Sequence, residues 1–231
     1  MPTISYLVTC HNETDTLGRL LYSIGVNKHP NDEIIILDDF SDNPETKRLL
    51  KEFISPSQGW NVYQHALDNN YGEHKNFGIE QCKEEWIFQI DGDELPPESL
   101  LGENLHAMLE ENPTIEAFAI PRINAWSGLT PEHAKQWGWG LDMSPTYQRL
   151  RAAWPDYQWR LFKNVPYIRF QKRLHERIDG FKSYAGLPAE EEWALYHDKT
   201  IEQQISKNIE YNNQFTEDEN MGISSRNKPC I

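Results

Sequence analysis

Two apolar repeats alternate along the first half of the chain. "TISYLVTC" (3–10) is a short β-rich apolar run, after which Leu17, Leu20, Leu21 and Ile24 recur at the i, i+3, i+4, i+7 spacing of an amphipathic helix. Asn12 or Thr14 can cap that helix. "EIIILDD" (33–39) stays apolar until its end, as does a strand buried on both faces of a parallel sheet. "NPETKRLLKEF" predicts a second helix with Pro44 near its first turn. "WNVYQHA" (60–66) predicts a third strand, "GEHKNFGIEQC" a third helix and "EWIFQID" (85–91) a fourth strand. "PESLLGENLHAMLEEN" predicts a fourth helix with Leu101, Leu105 and Met108 on one face, and "IEAFAIPRIN" (115–124) a fifth strand. Strands alternating with helices predict an α/β fold over residues 1–124, with a mostly parallel, Rossmann-like sheet flanked by helices.

The alternation breaks after residue 124. Residues 125–156 are rich in Trp, Pro and Gly and read as a long loop excursion. "YQWRLFK" and "YIRFQKRLHERI" read as a strand pair. "TIEQQISKNIEYNNQF" reads as a late helix with Ile201, Ile205 and Ile209 at i, i+4, i+8. Residues 125–215 thus form a smaller C-terminal region of the same domain, followed by a polar tail at 216–231.

Charge narrows the partners. The chain carries 22 basic and 36 acidic residues among 231, a net −14. Such a balance disfavours a polymeric nucleic acid or an anionic membrane, without by itself excluding a nucleic-acid acceptor. Cys10, Cys82 and Cys230 are too far apart for a zinc or redox motif. With no signal peptide and no apolar stretch of membrane-spanning length, a reduced cytoplasmic setting is the simplest reading.

The acidic residues are not scattered. The first four predicted strands end in polar clusters: Thr9, His11, Asn12 and Glu13; Asp38, Asp39, Ser41 and Asp42; Asp68, Asn69 and Asn70; Asp91, Asp93 and Glu94. Ligands of open parallel sheets bind beyond these carboxyl ends. Asp and Asn also cap helices and make turns, so each cluster alone has an ordinary explanation. Four clusters on one edge favour a site, and crowded carboxylates are tolerable when Mg²⁺ or Mn²⁺ neutralises them beside a phosphate-bearing substrate. Neither a dinucleotide fingerprint nor a Walker loop is present.

The order His11-Asn12-Glu13, Asp38-Asp39-x-Ser41, "NNYGEHKNFGI", Asp91-x-Asp93-Glu94 resembles the GT-A nucleotide-diphospho-sugar transferases, specifically glycosyltransferase family 2. "YQWRLFKN", "RLHERIDG" and "YHDKTIEQQISKN" extend the resemblance towards bacterial lipopolysaccharide-type members. The resemblance implies an inverting, metal-dependent transfer of a sugar from a nucleotide-diphosphate donor, UDP-linked by preference, to a hydroxyl of a glycan or other acceptor. It places Thr9, His11 and Glu13 around the nucleobase and ribose, and Asp39 on the base with Asp38 in support. It sets Lys75, standing where the family often has Arg, against the base or diphosphate, with Asp91 near ribose and metal. Asp93 and His197 complete the metal ligands. Glu176 is the candidate base, with Glu94 and the run Glu190–Glu192 as rivals. Gln158 and Arg160 could support donor or acceptor, and His175 could orient Glu176. Trp154 and Trp159 read as core, whereas Trp137-Gly138-Trp139-Gly140, near Trp126, reads as an acceptor-site loop. Two other classes stay open: a metal-dependent phosphohydrolase, and a non-catalytic nucleotide- or carbohydrate-binding module.

Overall fold

The structure is a computed structural model of the chain that describes residues 1–216; Cys230 and nearly all of the polar tail lie outside them. The first half alternates as the apolar pattern predicts: β1 (Ile4–Cys10), α1 (Asp15–Asn27), β2 (Glu33–Asp38), α2 (Pro44–Phe53), β3 (Trp60–Gln64), α3 (Tyr71–Gln81) and β4 (Trp86–Asp91). The strands pair in parallel in the order β3-β2-β1-β4. The order reverses beside β1, which is where an open α/β sheet presents its ligand crevice. Leu17, Leu20, Leu21 and Ile24 are fully buried against Tyr6, Val8 and Ile34 of the sheet. Removing that much apolar surface from water is the main driving force for this half.

The fourth helix starts later than predicted. Residues 98–100 form a 3₁₀ turn, and α4 covers only Gly102–Glu111. Gly102 has φ +57°, and a Cβ there would lie 2.3 Å from the Asn27 carbonyl oxygen. Only glycine allows that close approach, so the chain breaks between turn and helix. α1 also starts differently from the prediction. Thr14 takes the N-cap position without a side-chain hydrogen bond, and Asn12 Oδ1 instead accepts from the Asp42 and Asn43 backbone N–H groups.

Residues 125–156 are more ordered than their composition suggests. They hold α5 (Pro131–Trp137), β7 (Leu141–Ser144) and the first half of the long β8 (Arg149–Lys163). β8 runs antiparallel to β4 and to β6 (Ala117–Asn124), and β7 pairs with its outer half. The expected pairing of "YQWRLFK" with "YIRFQKRLHERI" is therefore overturned: the first joins the main sheet. The second splits into β9 (Arg169–Gln171) and β10 (Arg177–Asp179), which pair with each other. β8 is apolar on both faces near Leu161 and Phe162, so a central position buries it more fully than a hairpin would. β5 (Glu94–Leu95), β11 (Tyr184–Gly186) and β12 (Leu195–His197) finish the sheet.

The late helix, α6 (Ile201–Gln214), forms as predicted, but its stripe does not stay buried. Ile201 is 3% exposed, Ile205 37% and Ile209 58%. At ~100° per residue a four-residue step drifts by about 40°, which carries the stripe off the contact face. No helix among the described residues is long and apolar enough to cross a membrane.

Opposite the strand tips, a buried ion pair ties β1, β2 and α4 together. Asp32 accepts from the backbone N–H of Ile4 (3.0 Å) and of His29 (3.0 Å), and His106 Nε2 lies 2.9 Å from its Oδ2. His106 Nδ1 faces the Pro2 carbonyl at 2.8 Å, so both ring nitrogens donate and the imidazolium is held. Burial alone would lower the His106 pKa, but the Asp32 hydrogen bond and charge raise it. A raised folded pKa adds stability that is complete below the unfolded value near 6.5 and is lost as pH rises through the folded value. His106→Ala is expected to cost roughly 3 kcal/mol at pH 6 by stranding Asp32. The gap between wild type and variant should narrow towards pH 9 in urea titrations.

Candidate active site

The strand tips converge as the sequence suggests. Thr9 registers with Asp91 across β1 and β4, and Cys10 with Asp38 across β1 and β2. Gly92 makes the turn possible: its N–H donates to the Thr9 carbonyl at 2.8 Å, and a Cβ would stand 3.1 Å from that oxygen and 3.2 Å from Glu13 Oε2. A side chain there would crowd the crevice.

Asp91 is the most heavily bonded group of the site. Its Oδ1 accepts from Thr9 Oγ1 (2.9 Å) and Gln89 Nε2 (2.8 Å) and lies 3.0 Å from Lys75 Nζ. Its Oδ2 receives Arg160 Nη2 at 2.5 Å. Burial would raise this carboxyl, but Arg160 and then Lys75 hold it well below the usual carboxylate range. Both oxygens are thus engaged by protein donors, while the side chain stays 29% exposed. Thr9, expected near the nucleobase, is drawn to Asp91 in the same way.

Lys75, 5% exposed, stands between two acids, with Asp91 on one side and Glu176 Oε1 at 2.7 Å on the other. Burial alone would lower its pKa; Asp91 and Glu176 together raise it. Lys75 therefore faces the centre of the cleft and the candidate base. The rivals of Glu176 are engaged elsewhere. Glu94 is fully buried and accepts from Arg160 Nη2 (2.7 Å), Arg122 Nη1 (3.1 Å) and the Asp91 N–H. Glu191 pairs with Arg151 at 2.5 Å, and Glu190 and Glu192 lie on the exposed surface. His175, beside Glu176, holds φ +52°, a sparsely populated conformation of the kind found at functional turns.

The second aspartate behaves differently. Asp93 Oδ2 lies 3.1 Å from His197 Nε2, and His197 Nδ1 is 2.9 Å from Asn124 Oδ1. An amide oxygen only accepts, so Nδ1 carries the hydrogen. Burial lowers the His197 pKa, favouring a neutral ring whose Nε2 lone pair points at a carboxylate. A proton can bridge them by charging a buried imidazole; a divalent cation bridges them without that. A carboxylate oxygen beside an imidazole nitrogen is a donor set that Mg²⁺ or Mn²⁺ would accept. Asn124 orients the ring as outer partners of metal-bound histidines do. Among the described residues no three His, Cys, Asp or Glu side chains converge on one point. Asp93 and His197 are thus the two side chains that would hold a divalent cation here.

At the β2–β3 end, Asp38 is buried and accepts from the Ser41 N–H and Gln64 Nε2, both at 3.0 Å. Asp39 Oδ1 accepts from the Leu67 N–H at 2.8 Å, and its Oδ2 lies 3.5 Å from His11 Nδ1. Past Leu67 opens a cavity of about 290 Å³ lined by His65, Asp68, Asn70, Glu73 and Arg173. Reading the sequence missed Gln89, Arg122, Asn124, Asp156 and Lys199. Arg122 pairs with Asp156 (2.7 Å) and Glu94, and Gln158 is turned to Asp156. A lone arginine inside each of the apolar strands "AIPRIN" and "YQWRLFK" was the available signal, because a buried guanidinium needs a carboxylate.

The model described as Glycosyl transferase family 2 matches residues 5–178, three quarters of the chain. The chain belongs to that family. Among curated proteins, the lipopolysaccharide core biosynthesis glycosyltransferase LpsC of Rhizobium meliloti (strain 1021) is 29% identical over 136 residues, 58% of this chain and 47% of LpsC. The poly-beta-1,6-N-acetyl-D-glucosamine synthase of Staphylococcus epidermidis is 29% identical over 90 residues, 39% of this chain and 21% of the synthase. The family 2 chain thus spans less than half the length of either relative. S. aureus TarS 1–349 in complex with UDP-GlcNAc superposes with a TM-score of 0.60 at 15% identity, covering 85% of this chain and 58% of that one. The mannosyltransferase PcManGT from Pyrobaculum calidifontis, in complex with GDP-Man and Mn²⁺, gives 0.54 at 15% identity, covering 84% and 56%. These neighbours show the GT-A fold expected of the family 2 chain.

Glu13 reports on the cleft. Burial pushes its carboxyl up to about 7, against the pull of the His11 N–H at 2.6 Å. A raised acid pKa means that stability is full below the unfolded value and falls as pH rises from about 4.5 towards about 7. Glu13→Gln removes that loss. In metal-free buffer its melting temperature is expected to rise relative to wild type between pH 5 and pH 8.

Proposed function

We propose that the chain is an inverting, hexosyltransferase-type glycosyltransferase that moves a sugar from a nucleotide-diphosphate donor, UDP-linked, to an acceptor hydroxyl. One observation carries this reading: the Glu176 carboxylate stands 2.7 Å from Lys75 in the same crevice as Asp91 and the Asp93–His197 pair. A candidate base and a paired cation thus share one cleft at the switch point of the sheet. The TarS complex with UDP-GlcNAc, an equal in fold, supports the choice of UDP.

In this reading the cavity past Leu67, whose N–H donates to Asp39, takes the nucleobase. Asp93 and His197 hold Mn²⁺ or Mg²⁺, which when bound offsets the charge of the donor diphosphate. Lys75 fixes the position of Glu176 and adds positive charge beside the leaving group. Glu176 takes the proton from the acceptor hydroxyl as that oxygen attacks the anomeric carbon from the face opposite the diphosphate. Thr9, Gln89 and Arg160 fix Asp91, and Asp91 fixes Lys75. A phosphohydrolase of the aspartyl-phosphate kind needs an aspartate just after β1, and residues 9–13 contain none.

The test uses melting temperature and turnover together. UDP is expected to raise the melting temperature in the presence of Mn²⁺, and His197→Ala to remove the metal-dependent part. Glu176→Gln should keep the UDP shift while lowering transfer about a thousandfold. Absence of a shift with UDP, GDP, ADP or CDP would end the donor reading; unchanged turnover in Glu176→Gln would end the role of the base.

A further inference from the structure

The tryptophans between β6 and β7 are not accounted for by the donor site. Trp126 follows β6 and is 6% exposed. Its ring meets the His197 ring edge-on, with centroids 5.7 Å apart, and Lys199 Nζ lies 5.0 Å from its centre. Trp139 meets Trp126 edge-on at 5.4 Å, Trp137 lies 4.9 Å from Trp139, and His133 stacks on Trp137 at 5.6 Å. An unbroken row of rings therefore leads from the Asp93–His197 pair out onto α5.

The inner end of this row is core: Trp126 packs with Leu129, Ala152 and Ile201. At the outer end Trp137 and Trp139 pack against that same cluster but stay half-buried, whereas Trp86 in the main core is 2% exposed. Gly138 and Gly140 flank them, both exposed, and a Cβ at either would meet no atom within 4 Å. Gly138, at φ +69°, ends α5 in the left-handed region, which turns the chain sharply enough to bring Trp139 back onto Trp126. A second, independent sign lies at the inner end. The Trp126 indole N–H is buried without a hydrogen-bond partner among the described residues. An unmade bond of this kind costs about 1–3 kcal/mol and is uncommon unless something else accepts it.

Half-exposed indole faces beside an unfilled donor suit a pyranose. The ring's C–H face packs on the aromatic surface, and its hydroxyls accept and donate at the rim. Stacked nucleobases are the other occupant of such faces, but they come with a basic groove that tracks phosphates. The chain as a whole is at −14, which disfavours a phosphate backbone. We infer that Trp137 and Trp139 form a platform for a saccharide acceptor, holding a sugar ring next to the one whose hydroxyl reacts, with the Trp126 N–H directed to an acceptor oxygen. The inference rests on the proposed transferase reading and names its acceptor class.

The experiment pairs an array of immobilised oligosaccharides, containing hexose, 6-deoxyhexose and N-acetylhexosamine residues, with the UDP–Mn²⁺ melting shift. Wild type is expected to bind a subset of the array. Trp137→Ala and Trp139→Ala should each weaken that binding about five- to tenfold and leave the UDP shift unchanged. Gly140→Leu guards against misfolding, because its side chain enters open space beside Trp139; it should melt like wild type and weaken glycan binding too. Array binding that is unchanged in all three variants, or absent in a wild type that still shows the UDP shift, would overturn the platform. A missing UDP shift beside tryptophan-dependent glycan binding would sink the donor reading alone and leave the saccharide platform standing.

Discussion

The arrangement depends on the charge pairing around Asp91. A carboxylate at the end of a buried strand would strongly favour its neutral form if it stood alone. Here Arg160 and Lys75 flank it, and each cation is shared with a further acid, Glu94 and Glu176 respectively. The result is an alternating array of ions that stays charged because every member has an opposite neighbour. Breaking such an array by removing one partner is expensive, whereas the intact array adds little net stability. Its value is positional: it sets Lys75, and through it Glu176, in a fixed place relative to β4.

The two aspartates of Asp91-Gly92-Asp93 consequently divide their work. Asp91 is held by Thr9, Gln89, Lys75 and Arg160. Asp93 meets His197, which arrives from β12. Gly92 between them lets adjacent residues serve opposite sides of a single turn. Two residues from Asp93 in sequence, Asp91 has a wholly different set of neighbours, so the shared residue type hides two electrostatic environments.

Much of this was legible in the residues. The βαβ order, the parallel strands and the gathering of Thr9, Asp38 and Asp91 at one edge followed from apolar periodicity and from where each run stopped. Glu176, Lys75 and His197 followed from resemblance rather than from periodicity, and the structure brings all three to the cleft. What periodicity could not supply was partner choice. Nothing in "YQWRLFK" says that it pairs with β4 and β6 and not with the segment after it, because strand pairing depends on what is buried on each face. The 3₁₀ break before α4 was hidden for a similar reason: the contact that forces it, Gly102 against Asn27, is remote in sequence. The ion pair between Asp91 and Arg160 was hidden as well, because its two members stand 69 residues apart.

The long strand β8 has a further consequence. Asn124, the last residue of β6, registers with Ala152 of β8, so the polypeptide leaves and re-enters the main sheet at neighbouring points. Everything between them, α5 and β7 included, is one excursion that is tied back to a later stretch of the chain: the Ser127 backbone donates to the Lys199 carbonyl and accepts from the Ile201 N–H, and Arg151 pairs with Glu191. The same amide that borders this excursion orients His197, so a shift at its base would be felt at the Asp93–His197 pair.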